Sequence, residues 1–271
     1  MRLNPVDKRR VGAAFSRSSG AYDARAEVQR VVQDRVLALL AEAAPGARRV
    51  LDVGAGTGTL AAAALECGAE VTAVDPDPEM LEIAAATAPD ARLHRAGLPD
   101  LPFADGSFDV VLANFVVNHL PDPRAGLREM ARLVRPGGRV VATIWPSGQT
   151  DQSRLWSRVI EGGGAQPVPS ARLPRDRDFP RTVEGTFGLM RQAGLRKVSS
   201  GTLLWEHRSG ADALWRGAEA GIAGIGTTVV AQTDAVRARM KAEYERLVRP
   251  LLHEGELVLR TRAVLAVGTR R

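Results

Sequence analysis

Short apolar runs, separated by glycine-rich turns and helical stretches, recur through the middle of the chain. Val50, Leu51 and Val53 form the first and read as a buried parallel strand. A glycine-rich turn follows, and Leu60 to Leu65 open an alanine-rich helix. The second run, Val71 to Val74, ends in Asp75. Three more strands are expected before the last: one ending at Asn114, Val140 to Trp145, and Val198 to His207. A crossover helix is expected from Phe179-Pro180 to Gly194, and a closing alternation runs from Val258 to Val267. Ahead of the first strand, Val28, Val31, Val32, Val36, Leu39 and Leu40 recur at helical spacing until Pro45-Gly46 stops them.

Two stretches interrupt the rhythm. A helix is expected around Trp156 and runs into a segment rich in Gly, Pro and Arg, Gly162 to Arg181. About fifty residues then separate the last two strands, far more than a hairpin needs. They hold Trp215, a Gly/Ala-rich run from Gly217 to Gly226, and a charged helix from Asp234 to Val248. The glycine run follows no strand, so it reads as a close-packed or mobile helix boundary and not as a nucleotide loop. Residues 151–180 and 207–256 are expected to be helical cap inserts, with Trp215 lining an acceptor pocket.

Composition narrows the classes. At 271 residues and 45% apolar content the chain can bury a sizeable core. No apolar run approaches a membrane span and the N-terminus lacks an apolar signal core, so the expectation is a cytoplasmic protein without a membrane partner. The single cysteine, Cys67, is expected to be buried packing, and the four histidines are scattered, so no metal site is expected. The +6 net charge comes from dispersed arginine, with only 4% aromatics, which argues against a nucleic-acid partner.

The chemistry concentrates at Asp52-Val53-Gly54-Ala55-Gly56-Thr57-Gly58. Glycines at 54, 56 and 58 let the backbone turn sharply and approach a ligand closely. Asp75, at the tip of the second strand, stands where a carboxylate accepts from both hydroxyls of a ribose. A dinucleotide site would use G-x-G-x-x-G with a pyrophosphate on the helix N-terminus. Here the spacing is G-x-G-x-G, and Asp52 would repel a pyrophosphate while suiting a ligand with an ammonium and a sulfonium.

These residues resemble the class I S-adenosylmethionine-dependent methyltransferases, whose first motif is D/E-x-G-x-G-x-G. The run Leu98-Pro99-Asp100-Leu101-Pro102-Phe103-Ala104-Asp105-Gly106-Ser107-Phe108-Asp109 and the turn Leu133-Val134-Arg135-Pro136-Gly137-Gly138 match further family motifs. The resemblance covers roughly residues 50–150. It implies an α/β fold: a Rossmann-like, doubly wound sheet of seven strands, mostly parallel with the last antiparallel. An N-terminal helical segment, 1–49, would cover the cofactor, and 50–206 with 257–271 would form the core. The implied cofactor is S-adenosylmethionine, held by Tyr22, Asp52, Gly54, Ala55, Gly56, Asp75, Pro76, Met80, Gly97, Leu98 and Asn114. Many members carry an Asp where this chain has Gly97, so adenine is expected to rest on backbone near Gly97 and Leu98 and on Pro76 and Met80. The run Ala14 to Arg30 is similar to the start of malonyl-carrier-protein methyltransferases and, less closely, of quinone C-methyltransferases.

The expected activity is in-line methyl transfer to a small-molecule acceptor, a specialised metabolite or quinone-like ring. His119 is the candidate base because an imidazole titrates near neutrality; otherwise it would be a polar residue capping a short helix from Pro121. Two alternatives stay open. One is carboxyl O-methylation of a malonyl thioester, with an acyl carrier protein as partner. The other is a cofactor-binding relative without methyl transfer. Oligomeric state is open, a homodimer included.

Overall fold

The computed structural model describes residues 48–169 and 173–271. Tyr22 and the N-terminal segment up to residue 47 lie outside the described residues. Among the described residues eight strands and eight α-helices alternate along the chain. The first half contains β1 (Arg49–Val53), α1 (Thr59–Glu66), β2 (Glu70–Asp75), α2 (Pro78–Thr87), β3 (Arg92–Arg95), β4 (Phe108–Asn114), α3 (Pro123–Leu133) and β5 (Val134–Ile144). After these come α4 (Asp151–Gly163), α5 (Val183–Gln192), β6 (Arg196–Ser209), α6 (Ala211–Glu219), α7 (Ala223–Val230), α8 (Asp234–Val248), β7 (Leu252–His253) and β8 (Glu256–Thr269).

The sheet order is β3-β2-β1-β4-β5-β8-β6. Strands β1 to β5 pair in parallel, and β8 runs antiparallel to β5. That is the expected seven-stranded Rossmann-like sheet. It carries one addition, the two-residue β7, which pairs only with β8. The order reverses between β1 and β4, and in such sheets the crevice at the carboxyl ends of those strands is where ligands bind.

The chain divides into two compact units. One comprises 48–147, 173–203 and 262–271 of the described residues. Its core is aliphatic: Leu51, Val53, Val74, Val111, Leu127, Met130, Leu133, Ile144 and Leu189 are all buried. Helix starts follow from local chemistry. Asp77 accepts from the Glu79 N–H ahead of Pro78, and Asp122 accepts from the Ala125 N–H ahead of Pro123. Each such cap is worth about 1 kcal/mol. Helix α3 therefore starts at Pro123 and not at Pro121; Val117–His119 is a separate turn of 3-10 helix.

Cys67 is exposed, contrary to expectation. It falls three residues after buried Ala64, but α1 has ended at Glu66 and Gly68 turns the chain in the left-handed region (φ 81°).

The other unit comprises 148–169 and 204–261 of the described residues. Helix α4 begins in a reciprocal Thr150–Ser153 capping box. It packs on α8 around an aromatic cluster of Trp156, Trp215 and Tyr244. Trp215 is only 4% exposed, so it is a core residue of this helical unit and not the pocket-lining residue expected. The Gly221–Gly226 run is close-packed: a Cβ on Gly226 would sit 2.2 Å from the Gly221 carbonyl carbon.

Candidate active site

β1 ends by delivering Asp52 into a dry environment. Its register partners, Ala73 on β2 and Leu112 on β4, are both buried. Asp52 is 2% exposed, and its Oδ2 has no hydrogen-bond partner. Burial first, and the neighbouring Asp75 carboxylate second, push the Asp52 carboxyl up to about 7; the Ala61 amide at the start of α1 offsets part of this.

The chain then makes three left-handed steps, at Gly54 (φ 67°), Gly56 (φ 54°) and Gly58 (φ 80°). Both the Gly54 and Ala55 N–H groups donate to the Val74 carbonyl, at 2.8 and 3.0 Å. A Cβ on Gly54 would lie 2.6 Å from Val116 Cγ2, and one on Gly58 would lie 2.9 Å from the Ala84 Cα. No side chain fits at either place.

Asp75 fastens the turn from the neighbouring strand. Its Oδ2 accepts from the Gly56 N–H and its Oδ1 from the Asp77 N–H, each at 2.9 Å. Each oxygen keeps a second lone pair for a ligand hydroxyl. Burial raises the Asp75 carboxyl above its ordinary range, and the two amides counter that.

The other expected site residues are placed as follows. Pro76 is exposed, and a Cβ on Gly97 would make ordinary contact with its ring at 3.4 Å. Leu98 is half-buried and packs on the aliphatic core. Met80 is buried on the inner face of α2 with Ala84. Asn114, at the end of β4, accepts a hydrogen bond from Thr143 Oγ1. His119 is exposed at the end of the 3-10 turn, and Asp122, not His119, caps α3. Asp52, Gly54, Ala55, Gly56 and Asp75 are thus brought together at the switch point, with Pro76 and Gly97 adjoining.

Phe115 was not among the expected site residues. This buried residue adopts φ 58°, a region bulky side chains avoid. Its ring stacks on Trp145 at 3.9 Å with an 11° interplanar angle. Asn118 holds Trp145 from both sides of its peptide, donating to its carbonyl at 3.0 Å and accepting from its N–H at 2.9 Å. The left-handed Phe115 has no sequence signature. A separate groove of 310 Å³, lined by Glu219, Val230, Arg237, Ala238 and Lys241, belongs to the helical unit and holds none of these residues. Among the described residues no three His, Cys, Asp or Glu side chains are grouped to hold a metal ion.

A family model described as a methyltransferase domain matches residues 51–142, the stretch that holds the glycine turn, both carboxylates and Phe115. Over that stretch the chain is similar to methyltransferase domains. Among curated relatives, it is 37% identical over 158 residues to the malonyl-[acyl-carrier protein] O-methyltransferase of Pseudescherichia vulneris, covering 58% of this chain and 62% of that one. It is 41% identical over 137 residues to the demethylmenaquinone methyltransferase of Clavibacter sepedonicus, covering 48% and 56%. The match thus spans less than two thirds of either relative. In fold, the methyltransferase domain and its surroundings are similar to phosphoethanolamine N-methyltransferase 2 of Haemonchus contortus, solved with S-adenosyl-L-methionine. The TM-score is 0.53 at 17% identity, covering 88% of this chain and 53% of that one.

The carboxyl shift has a consequence for stability. A carboxyl raised on folding binds its proton more tightly in the native state, so its contribution is fully present at low pH. That contribution is lost as pH climbs from 3.8 towards about 7. Asp52→Asn is expected to stabilise the ligand-free protein at pH 8 by on the order of 2 kcal/mol, and to change little at pH 4. Urea titrations at the two pH values check this; equal effects at both would reject it.

Proposed function

We propose that the protein is an S-adenosylmethionine-dependent methyltransferase acting on a small-molecule acceptor. The observation that carries this reading is the pair of buried carboxylates bracketing a glycine turn that has no room for side chains. The residues present fit the cofactor. The unpartnered oxygen of Asp52 suits the ammonium end, and the open lone pairs of Asp75 suit the ribose hydroxyls. Pro76, Gly97 and Leu98 offer an apolar and backbone surface for the adenine. When bound, the cofactor supplies a methyl group already activated by its sulfonium.

The protein's own contribution is then mostly positional. The left-handed turn brings backbone close to the ligand, and Asp75 locks that turn in place through the Gly56 amide. Phe115, Trp145, Asn114 and Asn118 shape the carboxyl ends of β4 and β5, where an acceptor would be oriented for in-line attack. His119 is assigned as the base for an acceptor that must lose a proton, and Tyr22 as an aromatic partner of the sulfonium.

Similarity to the malonyl-[acyl-carrier protein] O-methyltransferase supports a second reading, carboxyl methylation of a malonyl thioester on an acyl carrier protein. Similarity to the demethylmenaquinone methyltransferase supports the ring acceptor. Methyl transfer from labelled cofactor to demethylmenaquinone or to a malonyl-loaded carrier protein decides between them. Cofactor binding with no transfer to any acceptor would favour a relative that binds without methylating.

Asp75→Ala is expected to weaken cofactor binding by about 2–4 kcal/mol, since it removes charge-assisted acceptors and the turn's anchor together. Calorimetric titration checks it. Unchanged affinity would move the ribose site elsewhere.

A further inference from the structure

We propose that Asp52 exchanges its proton for the ammonium group of the incoming cofactor, so that cofactor binding expels a proton from the site. The proposal rests on the cofactor reading above and adds to it a chemical event at one named carboxyl group.

The geometry separates the two carboxylates into different roles. Burial raises the Asp75 carboxyl, but both of its oxygens accept from backbone amides, a compensation that the unpartnered Oδ2 of Asp52 lacks. Asp52 has an oxygen with no partner, is 2% exposed, and sits between the buried strand residues Ala73 and Leu112. A second bare anion beside Asp75 in such dry surroundings is costly. The groups acting on Asp52 are the Asp75 carboxylate from β2 and the Ala61 amide from α1; Asp77 in turn acts on Asp75. Among the described residues no cationic side chain acts on Asp52. Compensating charge has to come with the ligand, and the proton holds its place until then.

The balance is simple. Protonated Asp52 and a ligand ammonium become a carboxylate–ammonium pair, and one proton passes to solvent. No bond to carbon changes and no co-reactant is needed. The upward shift of Asp52 to about 7 places the exchange in the neutral range. Above that range Asp52 is already ionised, so affinity becomes flat with pH. Below it, each pH unit should cost up to tenfold in affinity.

The test is calorimetry of the intact protein with S-adenosylhomocysteine at pH 7 in buffers of different ionisation enthalpy. About half a proton released per ligand is expected, with affinity near pH 5.5 at least tenfold weaker than at pH 8. 5′-Methylthioadenosine keeps the nucleoside and thioether but lacks the amino-acid end, and it should bind without release. Asp52→Asn should bind S-adenosylhomocysteine more weakly and abolish the release. Should that variant misfold, the wild-type comparison of the two ligands still decides. S-adenosylhomocysteine binding without proton release, or equal release with both ligands, overturns the exchange while leaving the cofactor reading intact. Failure of both ligands to bind the folded protein overturns the cofactor reading itself, and the exchange with it.

Discussion

Gly54→Val is expected to reduce S-adenosylmethionine affinity by about 100-fold or more, or roughly 2.7 kcal/mol. Two independent costs meet at this position. The backbone sits at φ 67°, where a β-branched residue is strained by about 1–2 kcal/mol. In addition, the new Cβ would lie 2.6 Å from Val116 Cγ2. Val116 follows Phe115, whose own left-handed backbone and stacking on Trp145 leave the segment little freedom to retreat. The turn has to yield instead, and with it the amide that Gly56 gives to Asp75. A double-mutant cycle separates the costs. Val116→Ala should restore part of the affinity of Gly54→Ala by making room, but it cannot relieve the backbone strain. If Gly54→Val binds the cofactor normally, the turn does not face the ligand.

The parts of this fold that were legible in the sequence depend on local rules. The charged run from Asp234 to Val248 is helix α8 residue for residue, and in the structure the Thr233 hydroxyl caps its start by accepting from the Val236 N–H. The G-x-G-x-G turn was legible because only glycine tolerates its backbone. What stayed hidden depends on partners distant in the chain. Asp109 was visible only as part of a motif. In the structure one of its oxygens takes the Arg48 and Arg49 amides, about sixty residues away, and the other takes the Arg135 guanidinium. Nothing local announces that a strand will be tied down from there. Likewise, periodicity marks which residues turn inward but not what they meet. Cys67 shows the opposite failure: it keeps the periodicity of a buried position, but the helix that would have buried it has already ended. Tyr22 lies outside the described residues, and its role stays with the proposal.

Trp215→Ala is expected to lower the melting temperature by roughly 10 °C, through a loss of about 3–5 kcal/mol. Its ring packs 5.3 Å from Tyr244 and 6.1 Å from Trp156, and the Tyr244 hydroxyl is tied to the Ala211 carbonyl at 2.7 Å. Removing the indole leaves a cavity between rings that cannot collapse without breaking that bond. One term works the other way: the Trp215 indole N–H is buried without an acceptor, so deleting it relieves a small desolvation cost. The loss should therefore fall toward the lower end of the range. Trp215→Phe, which keeps most of the ring volume and discards the orphaned N–H, is expected to recover most of the stability. Far-ultraviolet melting curves of the two variants give the comparison. A residue that lined an acceptor pocket would behave differently, raising KM for the acceptor at an unchanged melting temperature. That outcome would return Trp215 to the role its place in the insert first suggested and would remove it from the core of the helical unit.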